Sequence, residues 1–242
     1  MNSIKGIIFD YGGTLDTAGC HWGQMLWHAY ERQHVPVTNA QFREAYVYAE
    51  RTLGRNPIIK PDYTFHRTLS TKIRMEMEYL LTNGAWNASE EDFKAAHQAV
   101  LDDLYAEVQR ITSHSKDVLT QLSKHFPMVL VSNFYGNIAC VLREFGFDKF
   151  FPCIVESAEV GIRKPDPRIF ELGVESLQLS TINSHDVLVV GDSFYKDILP
   201  AQKIGCRTAW FKGEGWTQET YDESVPDMVI TDLSQLLPII GK

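Results

Sequence analysis

Acidic, hydroxyl, amide and ammonium side chains recur at one kind of position in this chain, close behind a short apolar run. Asp10 follows the run Ile4 to Phe9, with Thr14 shortly after, and Ser132 and Asn133 follow Met128 to Val131. Asp192 follows Val187 to Val190 within Gly191-Asp192-Ser193, and Asp197 stands about one helical turn later. Lys164, in the pair Lys164-Pro165, precedes a helix containing Ile169 and Phe170 in the connection ahead of that last run. If the runs are strands of one open sheet, their carboxyl ends face a single crevice. Three carboxylates, a hydroxyl, an amide and an ammonium would then converge, which is the equipment of phosphoryl transfer. Carboxylates hold a hard divalent cation such as magnesium, and one left facing phosphorus can attack it to give an aspartyl-phosphate. The Ser132 hydroxyl, nearby backbone N–H groups and Lys164 would hold the non-bridging oxygens. Lys164 would also relieve the repulsion among clustered carboxylates.

The elements that must position these groups fall into two patterns. After the first apolar run and its Gly12-Gly13 turn, about ninety residues read as helical. Trp22, Met25, Leu26, Ala29 and Tyr30 share one face, and Thr38 with Gln41 forms a capping box ahead of Phe42, Ala45, Ala49 and Leu53. Phe65, Leu69, Ile73, Met77 and Leu80 follow at i, i+4 spacing up to Asn83-Gly84, and Ser89 with Asp92 caps a fourth helix. Beyond about Ile111 the chain alternates helices with short strands at Met128 to Val131, Ile154 to Val155, Val187 to Val190, Thr208 to Phe211 and Met228 to Ile230. Helices lie around Val118, Ile138, Ile169 and Ala201. Such alternation predicts a parallel α/β sheet of Rossmann-like type with crossover helices. The first strand belongs to that sheet, so the helical block is an insertion. The expected division is a core of residues 1–16 and 109–242 with a helical cap over 17–108.

Composition limits the partners. The 242 residues carry a net charge of -8 and no cluster of Lys or Arg, which offers no footprint for nucleic acid or an anionic membrane. The apolar run at Ile7 to Phe9 is far shorter than a signal-peptide core or a membrane span. Cys20, Cys140, Cys153 and Cys206 show no CxxC spacing and read as free, buried thiols of a reducing compartment. A cytoplasmic enzyme acting on a small molecule is the expectation.

Phe9-Asp10-Tyr11-Gly12-Gly13-Thr14-Leu15, Val131-Ser132-Asn133, Gly161 to Asp166 around Lys164-Pro165, and Val190-Gly191-Asp192-Ser193 with Asp197-Ile198 resemble the four ordered motifs of the haloacid dehalogenase superfamily. The helical block resembles that family's α-helical cap. The resemblance implies a nucleophile at Asp10 and magnesium held by Asp10, the Gly12 carbonyl and Asp192. It implies phosphate contacts from Thr14, Ser132, Asn133 and Lys164, and a supporting carboxylate at Asp197.

The chain departs from the family's phosphatases at Gly12, where they carry an Asp that protonates the leaving oxygen and then activates water. General acid-base help of this kind contributes about 10² to 10⁴ in rate. The leading expectation is a magnesium-dependent phosphatase of a small phosphorylated metabolite. Two other branches lacking that Asp are alternatives: phosphonate hydrolases, which use a cap lysine, and haloacid dehalogenases, which act without metal. A phosphate-binding protein with weak turnover is a third. Against the dehalogenase reading, Asp192 and Asp197 add negative charge that a metal-free attack beside a carboxylate gains nothing from. Of the lysines before Glu90 in the insertion, Lys60 and Lys72, neither sits in the phosphonate branch's pattern. His21, Trp22, Trp27 and His28 read as core at helical spacing, Arg51, Arg55 and Lys60 as a solvated face, and Glu90, Glu91 and Asp92 as a first-turn acidic cluster.

Overall fold

A computed structural model describes residues 4–177 and 183–240. Six short strands form one sheet in the order β3-β2-β1-β4-β5-β6. They are β1 (Gly6–Phe9), β2 (Met128–Ser132), β3 (Cys153–Glu156), β4 (Val187–Gly191), β5 (Arg207–Phe211) and β6 (Met228–Ile230). Every pairing is parallel. The near-continuous Val, Ile and Leu content of β1, β2 and β4 suits a sheet covered on both faces, and every residue of these three strands is buried. Strand order reverses direction at β1, whose neighbours are β2 on one side and β4 on the other, and the crevice of an open sheet opens at such a switch point.

Between β1 and β2 the chain forms α1 (Trp22–Arg32), α2 (Asn39–Arg55), α3 (Phe65–Thr82) and α4 (Glu90–Leu122). The capping boxes at Thr38/Gln41 and Ser89/Asp92 are both formed. The fourth helix differs from the expected pattern: the helix capped at Ser89 and the one expected around Val118 are a single element of 33 residues. Its buried positions continue from Phe93 through Val108 and Ile111 to Leu122, so one apolar stripe serves both the helical block and the sheet. The expected boundary between residues 108 and 109 therefore falls inside a continuous helix. After β2 come α5 (Ile138–Phe145), the short α6 (Ser157–Val160), α7 (Arg168–Ser176) and α8 (Leu199–Lys203).

Core residues of the two regions merge. Phe9, Tyr11 and Leu15 of the β1 segment pack in one cluster with Leu26, Tyr30, Phe42 and Ile73 of the helices. Cys206 is buried, whereas Cys20, Cys140 and Cys153 are half-buried, and all four are free. Burial of the thiols was thus over-read at three positions, where neighbouring apolar residues take the core instead. No helix of the described residues is long and apolar enough to cross a membrane.

Candidate active site

The Asp10 amide donates to the Val190 carbonyl at 2.9 Å, carrying the β1–β4 ladder one residue past the strand end. The chain then turns tightly. Thr14 and Leu15 amides both donate to the Tyr11 carbonyl, and Gly13 sits at φ 103°, a conformation that favours glycine. A Cβ on Gly13 would also lie 2.3 Å from Cγ of Asp192, so this glycine lets the two acidic loops approach each other. Gly191 does the same at the end of β4, where a Cβ would meet Asp197 at 2.5 Å.

Beyond β4, Ser193 caps a wide helical turn, Phe194–Ile198, by accepting from the Lys196 amide. That turn carries Asp197 back under the strand end, where its Oδ2 accepts from the Ser193 amide at 3.0 Å. Carboxylate oxygens of Asp10, Asp192 and Asp197 come within 4.8 Å of one another. Lys164 enters from the β3–α7 connection, and its Nζ lies 2.6 Å from both Asp10 Oδ1 and Asp197 Oδ1. All three of those side chains are buried. Asp10, Lys164, Asp192 and Asp197 thus converge, although they span positions 10 to 197.

The other expected residues are placed differently from one another. Asn133 brackets the Lys164 backbone, donating to its carbonyl at 3.1 Å and accepting from its amide at 3.0 Å. It orients the lysine while also lining the cavity. Thr14 is fully buried; its Oγ1 accepts from the Asp192 amide at 3.0 Å and lies 3.4 Å from Asp10 Oδ2, tying the two acidic loops together. Ser132 ends β2 and is buried. Gly12 lines the cavity, and its added Cβ would meet nothing closer than Trp22 Nε1 at 3.8 Å. Neither crowding nor backbone conformation requires glycine there.

Burial pushes the Asp10 carboxyl up to about 6; Lys164 pulls it down and Asp197 pushes it further up. Asp192 is held well above the usual carboxylate range by burial, then by Asp197 and Asp10. Burial opposes the charge on Lys164, but Asp10 and Asp197 outweigh it and raise the ammonium. Three carboxylates against one ammonium leave negative charge uncompensated in a desolvated place. An all-oxygen donor set with more negative than positive charge fits a hard divalent cation, for which Asp10 and Asp192 are the carboxylates available. Asp197 spends both oxygens on Lys164 and Ser193, which suits a supporting role.

One acid escaped the sequence reading. Asp16 is fully buried, accepting from the Gly13 amide at 2.8 Å and from Trp22 Nε1 at 3.1 Å, and burial pushes it up to about 8. The available signal was its place in Thr14-Leu15-Asp16-Thr17, a stretch buried throughout just after a tight turn. His21 and Trp22, read as core, line the cavity; Trp27 packs against Phe42, and His28 is on the surface beside Glu31 and Glu214. Arg51, Arg55 and Lys60 are exposed, as expected of a solvated face.

The cavity above the carboxylates has a volume of about 550 Å³, within the range of small-molecule sites. Its far wall belongs to the helical block, through His21, Trp22, Tyr46, Glu50 and Lys72. The β5–β6 loop closes one side: Trp216 stacks on His21 at 5.2 Å between centroids, and Arg43 lies 3.7 Å over its ring.

Comparison with known proteins agrees with this fold. A family model described as haloacid dehalogenase-like hydrolase matches residues 4–205. Glyceraldehyde 3-phosphate phosphatase of Pyrococcus furiosus is 33% identical over 96 residues, 39% of this chain and 39% of that protein. The chain thus spans about two fifths of that relative's length. Phosphoglycolate phosphatase of Vibrio parahaemolyticus is 30% identical over 157 residues, 62% of this chain and 67% of the relative. The magnesium-bound structure of the HAD-hydrolase YfnB from Bacillus subtilis superposes with a TM-score of 0.60 at 20% identity, covering 99% of this chain and 100% of the other. With strand-end carboxylates, parallel sheet and family match in accord, the chain belongs to the haloacid dehalogenase-like hydrolases.

Proposed function

We propose that this chain is a magnesium-dependent phosphatase of a small phosphorylated metabolite, with Asp10 as nucleophile and the helical block of residues 17–108 as a cap over the site. The observation that carries the reading is the Lys164 ammonium bridging Asp10 and Asp197 at 2.6 Å each, with Asp192 alongside. The phosphatase names of two sequence relatives support it.

In this reading the Asp10 carboxylate attacks phosphorus, forming an aspartyl-phosphate as the P–O bond to the leaving alcohol breaks; water then hydrolyses the acyl phosphate. Lys164 holds a non-bridging oxygen and compensates charge, with the Ser132 and Thr14 hydroxyls and Asn133 at the same strand ends. Asp10, the Gly12 carbonyl and Asp192 would hold the magnesium, which when bound draws negative charge off the phosphoryl oxygens. Asp16 is buried away from the cavity lining and does not stand in for the acid missing at position 12. The leaving oxygen therefore takes its proton from solvent or from the substrate itself, not from position 12.

Lys72 favours a second reading, hydrolysis of a phosphonate through an imine on a cap lysine, because it faces the cavity from α3. An imine needs a free amine, whereas Nζ of Lys72 is engaged by Glu50 at 2.5 Å, so the phosphatase reading is preferred.

Aryl phosphate, phosphonates and 2-haloacids assayed with magnesium and with chelator separate these readings. The expected result is magnesium-dependent phosphate release that Asp10→Asn lowers by at least about 10³-fold while the melting transition survives. Release that persists in Asp10→Asn would remove the nucleophile assignment, and ligand-induced stabilisation without product would indicate a binding protein.

A further inference from the structure

The charged groups in the helical wall of the cavity are not used by the chemistry at Asp10. Glu50 on α2 and Lys72 on α3 meet there at 2.5 Å. The Lys72 side chain is 9% exposed, with its Nζ 4.5 Å from the centre of the Tyr46 ring and 5.8 Å from that of Trp22. Glu50 keeps 35% of its side chain accessible and also accepts from the Tyr135 hydroxyl at 2.9 Å. Tyr135 lies in the loop just after Ser132 and Asn133, so the pair is anchored to the phosphate end of the cavity through that loop. Among the described residues Glu50 is the one ion-pair partner of Lys72, which leaves N–H donors on a buried ammonium.

We infer that Glu50 and Lys72 form a leaving-group subsite that selects an uncharged, hydroxylated leaving group, making the substrate a polyol or sugar monophosphate. This rests on the phosphatase reading above. Burying the Lys72 ammonium is costly and contributes little to folding compared with apolar packing, so its place in a cavity wall beside a partly accessible carboxylate points to use by a ligand. Lys72 offers donors and Glu50 an acceptor side by side, which neighbouring hydroxyls satisfy together, each being donor and acceptor. The Trp22, Tyr46 and Phe65 rings that line the same wall supply apolar faces for the C–H surface of a sugar. In the helical wall a second anion finds no cation but the paired Lys72, while Arg163 and Lys196 line the cavity from the sheet side. In that wall the anion would have to compete with Glu50 for Lys72 and approach a carboxylate of its own sign.

The test is the ratio of kcat/KM values with magnesium on three ester types: polyol and sugar monophosphates, the carboxylate-bearing phosphoglycolate, and an aryl phosphate. The wild-type protein is expected to prefer the polyol or sugar esters to phosphoglycolate by at least about 10-fold. Lys72→Met and Glu50→Gln should each lower kcat/KM on those esters, mainly through KM, by about 10-fold more than on aryl phosphate. Glu50→Gln should narrow the discrimination against phosphoglycolate. Equal losses on all three types, or a wild-type preference for phosphoglycolate, would overturn the subsite. Thermal melts check that each variant folds, and Glu50→Gln, nearly isosteric, stands if Lys72→Met does not. Turnover of no ester would instead sink the phosphatase reading. Calorimetric binding to Asp10→Asn then decides the subsite. Lys72→Met or Glu50→Gln must weaken a sugar phosphate about 10-fold more than inorganic phosphate, and equal weakening rejects it.

Discussion

Buried and half-buried carboxylates gather in two regions of this molecule, and they are compensated in different ways. At the strand ends, Asp10, Asp192 and Asp197 crowd together around a single ammonium, and Asp197 also accepts from the Ser193 amide. In the helical block, Glu50 is paired with Lys72, while Glu76, one turn along from Lys72, is fully buried and accepts only from the Tyr30 hydroxyl among the described residues. Burial pushes Glu76 up to about 8, with Lys72 pulling the other way. Its Oε1 has no hydrogen-bond partner among the described residues. Helix interiors have no spare amides to offer, because their N–H groups are already used along the helix. Strand-end loops do. Burial raises the carboxyls in both places, but beside the sheet Lys164 offsets it and a cation can offset it further, whereas the lone Glu76 between helices is better off neutral.

That contrast can be broken most forcefully at Lys164. Lys164→Met leaves Asp10 and Asp197 facing each other without their counter-charge, and phosphate release should fall by at least about 10³-fold. Magnesium-free stability should drop by about 3 kcal/mol in chemical denaturation, as when one partner of a buried pair is removed. Magnesium should restore more stability to this variant than to the wild-type protein. A variant as stable as wild type without metal would mean that the cluster is not charged in the free protein.

Gly12→Asp sharpens the comparison by adding another acid to the strand-end cluster. The new Cβ has room, 3.8 Å from Trp22 Nε1. Hydrolysis of alkyl phosphates, whose leaving groups are poor, should rise by about 10-fold or more relative to aryl phosphate. Unchanged ratios with the fold and metal binding intact would mean that proton transfer at position 12 does not limit the reaction.

Glu76→Gln makes the smallest change and probes the helical side. The folded carboxyl holds its proton up to about 8, against an ordinary value of 4.5. Between those values the folded chain binds a proton that the unfolded chain has released, so Glu76 costs stability as pH rises through that window. Glu76→Gln should remove that loss. Its stability relative to wild type should increase from pH 4.5 to 8.5 by on the order of 4 kcal/mol, measured by urea denaturation at each pH. A difference that does not vary with pH would place Glu76 in its ionised form.

Much of the fold and of the strand-end site was legible in the sequence because the signals are local. Short apolar runs ending in turn residues mark strands, capping boxes at Thr38 and Ser89 mark helix starts, and parallel topology obliges the strand ends to share a crevice. Asp10 and Asp192 follow from that, while Lys164, in a connection ahead of a helix, and Asp197, a turn past the strand, were added by the ordered motifs. Helix continuity was less legible: nothing between Ile111 and Val118 breaks the apolar stripe of α4, yet the change of pattern around it suggested two elements.

What the sequence by itself determined is therefore the order of elements and which polar residues stand at strand ends, since both depend on patterns a few residues long. Tertiary structure alone decided that Glu50 and Lys72 meet in the cavity wall, that Trp22 and Asp16 share a hydrogen bond behind Gly12, and that Trp216 reaches back to His21. Each of these contacts depends on how one helix rotates and docks against another element, and helical spacing fixes a face without naming the partner it will meet.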